Sequence, residues 1–466
     1  MTAPTSEASS PAPRPRARRR AIDEFSLTVD ADVLAVAGAG DPDWLVADRQ
    51  AAYEAWSALP PESNLLYTPY IDLRGATLDD ARLAAAPRTG LSGATAGALP
   101  ADADGILEIT DGDVTIAALS AAATAAGVRL HTIAEAIRTD PDGTRARLEG
   151  GAGLPATDKF AQLTRALWTQ GAILDIPAGV HLTRPIIVRW VLGAGDRALL
   201  TRTLVHLGDG AEASLVEELV EAPAVTPGAG QSFLAGTTEI VLDRGANLTV
   251  ASLQELPAHL VAFQHRRAEI GEDASLRWAL AQLGGRLVRS RVENRLVGDR
   301  SSVEQVEIVF GGGEQLFDLT SYTTHVGRDT TGDLLSKGAL LDGSRSYMKG
   351  LITIEKSAVG TDSFLGEFGM NLSKAARSVA IPSLEIDQPD CRRAAHSSSV
   401  GPIDETQLFY LESRGIPPDE ARKFIVLGFL EPVVARVPLA SAQARLRELL
   451  EEKWAAGVGG GASAAA

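Results

Sequence analysis

The chain has 466 residues, 45% of them apolar but only 5% aromatic, and a formal net charge of −16; that length is too great for one simple compact domain, and an elongated repeat architecture is the usual escape from that limit. The acidic balance repels phosphate backbones and argues against nucleic acid as a partner. The single cysteine, Cys391, excludes an internal disulfide framework and a cluster held by this chain's thiolates alone, which takes about four.

Residues 1–21 read as a disordered tail. Its basic run, Arg14, Arg16, Arg18, Arg19 and Arg20, lies among Pro, Ala and Ser, a solvated composition. No apolar segment follows, so neither a secretory signal nor a membrane anchor is expected. The most apolar stretch, Val114 to Val128, is mostly Ala and too short to span a bilayer. A cytoplasmic location is expected.

Residues 22–157 read as a helical and mixed N-terminal region. Asp41-Pro42-Asp43 suits a first turn, and Trp44, Leu45, Arg49, Ala52, Tyr53 and Trp56 follow at helical spacing. Tyr67 to Leu73 is a candidate edge strand, and Ala84 to Ala101 a loop. Ile106–Ile109 and Val114–Ile116 form a hairpin across Asp111-Gly112-Asp113. A short helix over 132–138 precedes a turn at Pro141-Asp142-Gly143. No catalytic constellation stands out in this region.

Residues 158–395 read as the core. Asp158 is placed to cap a helix over 158–168, Gly171 to end it, and strands follow at 172–176 and 185–188. A corner motif then recurs: Gly208-Asp209-Gly210-Ala211, Asp243-Arg244-Gly245-Ala246, Gly271-Glu272-Asp273-Ala274 and Gly298-Asp299-Arg300-Ser301, each before a β-type run. Looser echoes stand at 355–358 and 373–376. Such spacing predicts stacked coils that share one core, with a β-sandwich as the other architecture that gives many short, evenly spaced strands. Residues 396–456 read as a C-terminal helical region: one helix from Asp404 to the Gly415 stop, one from Pro417-Pro418 with an apolar stripe of Ala421, Phe424, Ile425, Leu427 and Phe429, and one over 441–454. Residues 457–466 read as a second disordered tail.

The residues able to carry chemistry are few. Cys391 and His396 are both metal-ligand types, but two side chains do not hold a metal alone, and an inert thiol and a structural histidine are the plain alternatives. There is no G-x-x-x-x-G-K-[ST] phosphate loop, and Gly311-Gly312-Gly313 lacks the following lysine.

Leu384-Glu385-Ile386, His396 within a small-residue run, Gln407-Leu408-Phe409-Tyr410-Leu411 and Ser413-Arg414-Gly415-Ile416, in that order and spacing, resemble the SufB/SufD family of iron–sulfur cluster assembly scaffolds. The resemblance is good over 158–190 and 320–440. It implies a mainly β protein with a right-handed parallel β-helix-like core between helical regions. It implies a non-catalytic SufD-type scaffold subunit that pairs with a SufB-like subunit and a SufC-like ABC-type ATPase, ATP acting only through that partner. It also implies a cluster-assembly interface around His396, with Cys391 and His325 as further candidates and His396 as the metal-binding residue. Any iron or cluster would be transient, at the interface with the SufB-like partner. The ATPase would dock on the C-terminal helices, at Leu408, Phe409, Tyr410, Arg414, Gly415, Phe424 and Phe429. A homodimer is expected where the partner is missing.

Ser397 follows His396 where SufB-type chains place Glu, and with the lone cysteine this favours the SufD type over a SufB-like cluster carrier. The spacing from Cys391 to His396 is longer than the C-x-H often found in such proteins, which leaves the role of Cys391 open. A β-helix carbohydrate-active enzyme is the rival from another class; it would show an aligned ladder of acids along a coil face. A purely structural repeat protein is the third reading, in which residues around His396 tolerate change.

Overall fold

The computed structural model describes residues 24–60, 71–84, 99–226, 230–257, 259–437 and 439–461. The first tail and most of the loop expected at 84–101 lie outside the described residues, as do 67–70 of the candidate edge strand; its remainder forms no strand and enters a 3-10 turn, Leu73–Gly75.

The core is a parallel β-solenoid of about eight coils. Strands alternate between two sheets. One takes Gln170–Ile176, Arg197–Leu207, Phe233–Leu242, Val261–Ile270, Leu287–Leu296, Leu316–His325, Arg345–Ile354 and Arg377–Ile386. The other takes Ile186–Ala194, Glu212–Thr226, Asn247–Glu255, Ser275–Gln282, Ser302–Gly311, Thr331–Leu340, Asp362–Asn371 and Arg393–Pro402. Each strand pairs in parallel with the strand one coil away. Alternate residues therefore face inward in stacked rows, and Leu215, Val250, Leu276, Trp278, Val288, Val292 and Val303 fill the space between the sheets. No coil buries its inner face alone, so the stack is the folding unit.

The recurring corner is a ladder of left-handed residues. Gly210 (φ 65°), Gly245 (69°), Asp273 (58°), Arg300 (58°), Asp329 (54°) and Gly360 (78°) occupy equivalent places. Each donates its backbone N–H to the corner of the next coil, as from Gly210 to Arg244 O at 2.8 Å and from Gly245 to Glu272 O at 2.8 Å. Gly and Asp tolerate this conformation best, which is why the motif shows in sequence. The echo at 355–358 sits in this corner, but its left-handed residue is Gly360. The echo at 373–376 belongs to the opposite corner.

Helices cover both outer faces. The expected hairpin forms as Gly105–Thr110 and Asp113–Leu119, through Asp111 (φ 49°) and Gly112 (φ 105°). Helices form at Ala31–Ala37, Asp43–Ala58 and Ile133–Thr139, and at Lys159–Leu167 with Asp158 as its cap. Pro141-Asp142-Gly143 is not a turn. It opens the helix Pro141–Gly150, capped by the Asp140 side chain on Gly143 N–H. Gly171 does not stop a helix either. It lies within a strand, where a Cβ would stand 2.3 Å from Ile133 Cδ1 and 2.8 Å from Arg202 O.

At the C-terminal end the helices are Glu405–Ser413, Pro418–Val434 and Ala440–Gly461. The last runs past 454 into the stretch expected to be a tail. The boundary drawn between 395 and 396 falls inside the final strand. Val426, Leu430, Val433, Leu446, Leu449 and Leu450 pack on Ala279, Val306, Ile308 and Phe310 of the second sheet. Two lysines pin this layer: Lys337 donates to Phe429 O at 2.8 Å, and Lys453 reaches Leu283 O and, at 2.9 Å, Gln315 Oε1. Among the described residues no helix is long and apolar enough to cross a membrane.

Candidate functional site at the open end of the solenoid

The last two strands, Arg377–Ile386 and Arg393–Pro402, each have a strand neighbour on one side only among the described residues. An open strand edge is the usual template for strand addition by another chain, although Ser378 and Ile381 give their N–H groups to Asn371 and Glu367 side chains. Ile386 and Val400 are exposed there. The final strand is rich in Ala and Ser from Ala394 to Ser399, His396 being the one large side chain of that run.

His396 lies on this strand and is exposed. It is in register with the inward-facing Leu365 of the strand beneath, so its imidazole caps the interior column at the open end. Cys391 is elsewhere. It sits half-buried in the corner before the strand, against the cluster of Leu334, Ile352, Ile354 and Leu365. A strand rises about 3.3 Å per residue, which puts His396 about 10 Å beyond Arg393. Cys391 packs in that corner as a small apolar side chain.

His325 is further away. It is fully buried, two strands below the edge of its sheet. Its Nδ1 contacts Thr330 Oγ1 at 2.8 Å and its Nε2 contacts Ser363 Oγ at 3.0 Å. Burial lowers its pKa to about 4, so it is a neutral ring with both nitrogens occupied. Among the described residues no group of three His, Cys, Asp or Glu side chains is arranged to hold a metal. A metal at His396 would need most of its ligands from elsewhere.

A second exposed surface lies on the C-terminal helices. Phe409, Tyr410 and Phe424 are 71%, 56% and 61% exposed. No residue of the helix Glu405–Ser413 is buried, Leu408 being half-buried. Arg414 stacks on Tyr410, 5.1 Å from its centroid, and Gly415 (φ 87°) closes the helix. Phe424 and Phe429, expected on one stripe, part company. Phe424 points to solvent, whereas Phe429 packs toward the solenoid with the Lys337 ammonium 4.6 Å from its ring.

Among the described residues, several acids of the coils and of the helix cap are held in ion pairs. Asp158 pairs with Arg289 and Arg291, Glu239 with Arg202, Glu293 with Arg267 and Arg291, and Asp318 with Lys349. Sequence reading missed these pairs because most of them join residues far apart in the chain, the Glu293–Arg291 pair excepted.

The family model for the SUF system FeS cluster assembly SufBD core domain matches residues 190–429. The iron–sulfur cluster assembly protein SufD of Bacillus subtilis (strain 168) is 30% identical over 296 residues, 63% of this chain and 67% of that protein. An iron–sulfur cluster assembly SufBD family protein of Mycobacterium tuberculosis (strain ATCC 25618 / H37Rv) is 29% identical over 311 residues, 65% of this chain and 76% of that protein. Another from Staphylococcus haemolyticus is 27% identical over 290 residues, 62% and 61% of the respective chains.

Proposed function

The chain belongs to the SufBD family of the SUF iron–sulfur cluster assembly system, and from that premise we propose that it is the SufD-type subunit of a scaffold that also contains a SufB-like chain and a SufC-like ATPase. The observation that carries this reading is the open solenoid end. Two edge strands await ladder partners there, and His396 stands on the outermost rung.

Strand addition by the SufB-like chain would cover those edges and bring its own ligands to His396. A cluster takes about four protein ligands, and this chain offers one imidazole. Iron and sulfide are then the cargo of the interface and not resident groups of this chain. The imidazole suits iron as a ligand type. The exposed aromatic surface of Phe409, Tyr410 and Phe424 is the surface on which the ATPase would dock, as a helix pair set into a groove. Nucleotide hydrolysis resides in that partner, and this chain acts as a scaffold and not as an enzyme.

A SufB-like cluster carrier is disfavoured by Ser397 and by the lone, half-buried Cys391. Co-expression with SufB-like and SufC-like chains tests the proposal. A stable ternary complex is expected. A chain that purifies alone and binds neither partner would overturn the reading.

A further inference from the structure

On the second sheet, one inward-facing column runs Glu217, Ser252, Leu280, Glu307, Ser336, Glu367, Ser398 in register. Its three carboxyls differ. Glu217 is matched by Arg266 at 2.5 Å and by Ser252 at 2.6 Å. Glu307 is buried and receives only the neutral donors Ser290 at 2.9 Å and Gln282 at 3.3 Å. Glu367, 1% exposed, receives only the backbone N–H of Ile381, at 2.9 Å. That bond crosses the interior, from the strand Asp362–Asn371 of one sheet to the terminal strand Arg377–Ile386 of the other. A Cβ on Gly350 would stand 2.8 Å from Glu367 Oε1, so the carboxyl occupies space left by that glycine. Directly above Glu367 is Ser398, two residues from His396.

We propose that Glu367 is a positioning residue for His396: as a neutral acid it braces the strand Asp362–Asn371, on which the strand of His396 is laddered, to the terminal strand Arg377–Ile386 across the interior, and its ionisation loosens the open end. Removal from water without a cation disfavours the carboxylate. Burial raises Glu307 to about 7 and Glu367 to about 8, with the nearby Glu307 charge adding to the latter. The inward neighbours of Glu367 carry no compensating charge. They are Ser336 below, Ser398 above, and Met348, Gly350, Ala380 and Pro382 on the facing strands. Glu307 faces it from two rungs down, with Arg266 acting on Glu307, and His396 is the titratable group at the rim. The brace depends on the scaffold reading only for what His396 does.

The test is hydrogen exchange on the full chain, corrected for intrinsic rates, between about pH 6 and about pH 9, a window spanning the titration. Protection of Arg393–Pro402 should fall at least about tenfold relative to Leu316–His325 as pH rises. Glu367→Gln keeps an acceptor for Ile381 and carries no charge, so its protection should not change with pH. Unchanged protection in the wild type, or the same fall in Glu367→Gln, overturns the proposal. If that variant does not fold, infrared spectra of Glu307→Gln decide: a protonated-carboxyl band at neutral pH that is lost by about pH 9 supports it, and absence of the band overturns it. Neither readout needs a partner, so failure of the scaffold reading would be seen separately.

Discussion

His396 and Leu365 are register partners on the last two strands of one sheet, the first exposed and the second fully buried. One interior column thus ends in a side chain that has nothing above it among the described residues. The two positions should respond oppositely to truncation. Leu365→Ala leaves a cavity and should cost about 2–5 kcal/mol. His396→Ala should stay within about 0.5 kcal/mol of wild type, as other exposed changes do. Chemical denaturation of both variants checks this. A large cost at His396 would make it a structural histidine.

The C-terminal helices divide in the same way. Leu430 is fully buried against the solenoid whereas Phe424 and Phe409 face solvent. Leu430→Ala should lower stability by about 2–5 kcal/mol. Phe409→Ser with Phe424→Ser should leave stability nearly unchanged and weaken binding of the SufC-like ATPase by more than about tenfold, the usual scale for aromatic anchors. Calorimetric titration with the purified ATPase reads this directly.

Much of this was legible in the sequence. The stacked coils announced themselves because each corner needs a left-handed residue, and Gly or Asp recurs there. The strand carrying His396 was not legible. Arg393 to Pro402 is Ala- and Ser-rich with little β-propensity, and it becomes a strand because Asp362–Asn371 offers it a ladder. Pro141-Asp142-Gly143 failed for another reason: Asp then Pro starts helices as readily as turns, and the cap on Gly143 decides. Helical periodicity found the stripe holding Phe424 and Phe429, but it does not say which edge of a stripe meets the core.

His325 should make the fold acid-sensitive. Burial lowers its pKa from 6.5 to about 4, so between those values the unfolded chain binds more protons than the folded one. Its contribution is present above about pH 6.5 and lost as pH falls toward about 4. His325→Leu should flatten that part of the stability profile. It should also cost about 1–3 kcal/mol at neutral pH, because Thr330 and Ser363 lose their partner. An unchanged acid limb in the variant would contradict the assignment.

Asp158 joins the cap of the helix Lys159–Leu167 to Arg289 on the solenoid. Burial alone would raise its pKa, but Arg289, His265 and Arg291 hold it well below the usual carboxylate range. Asp158→Ala removes both the cap and the buried ion pair with Arg289. It should cost at least about 3 kcal/mol and release protection in Lys159–Leu167 first. Asp158→Asn should recover part of the cap and not the pair.

The central claim is that His396 serves cluster assembly at an interface shared with a SufB-like chain. The most direct measurement is iron and acid-labile sulfide content of the reconstituted ternary complex, wild type against His396→Ala, with complex stoichiometry recorded alongside. The account predicts an intact variant complex with cluster content reduced at least about tenfold, the scale of a lost ligand. An intact complex with full cluster content would contradict it.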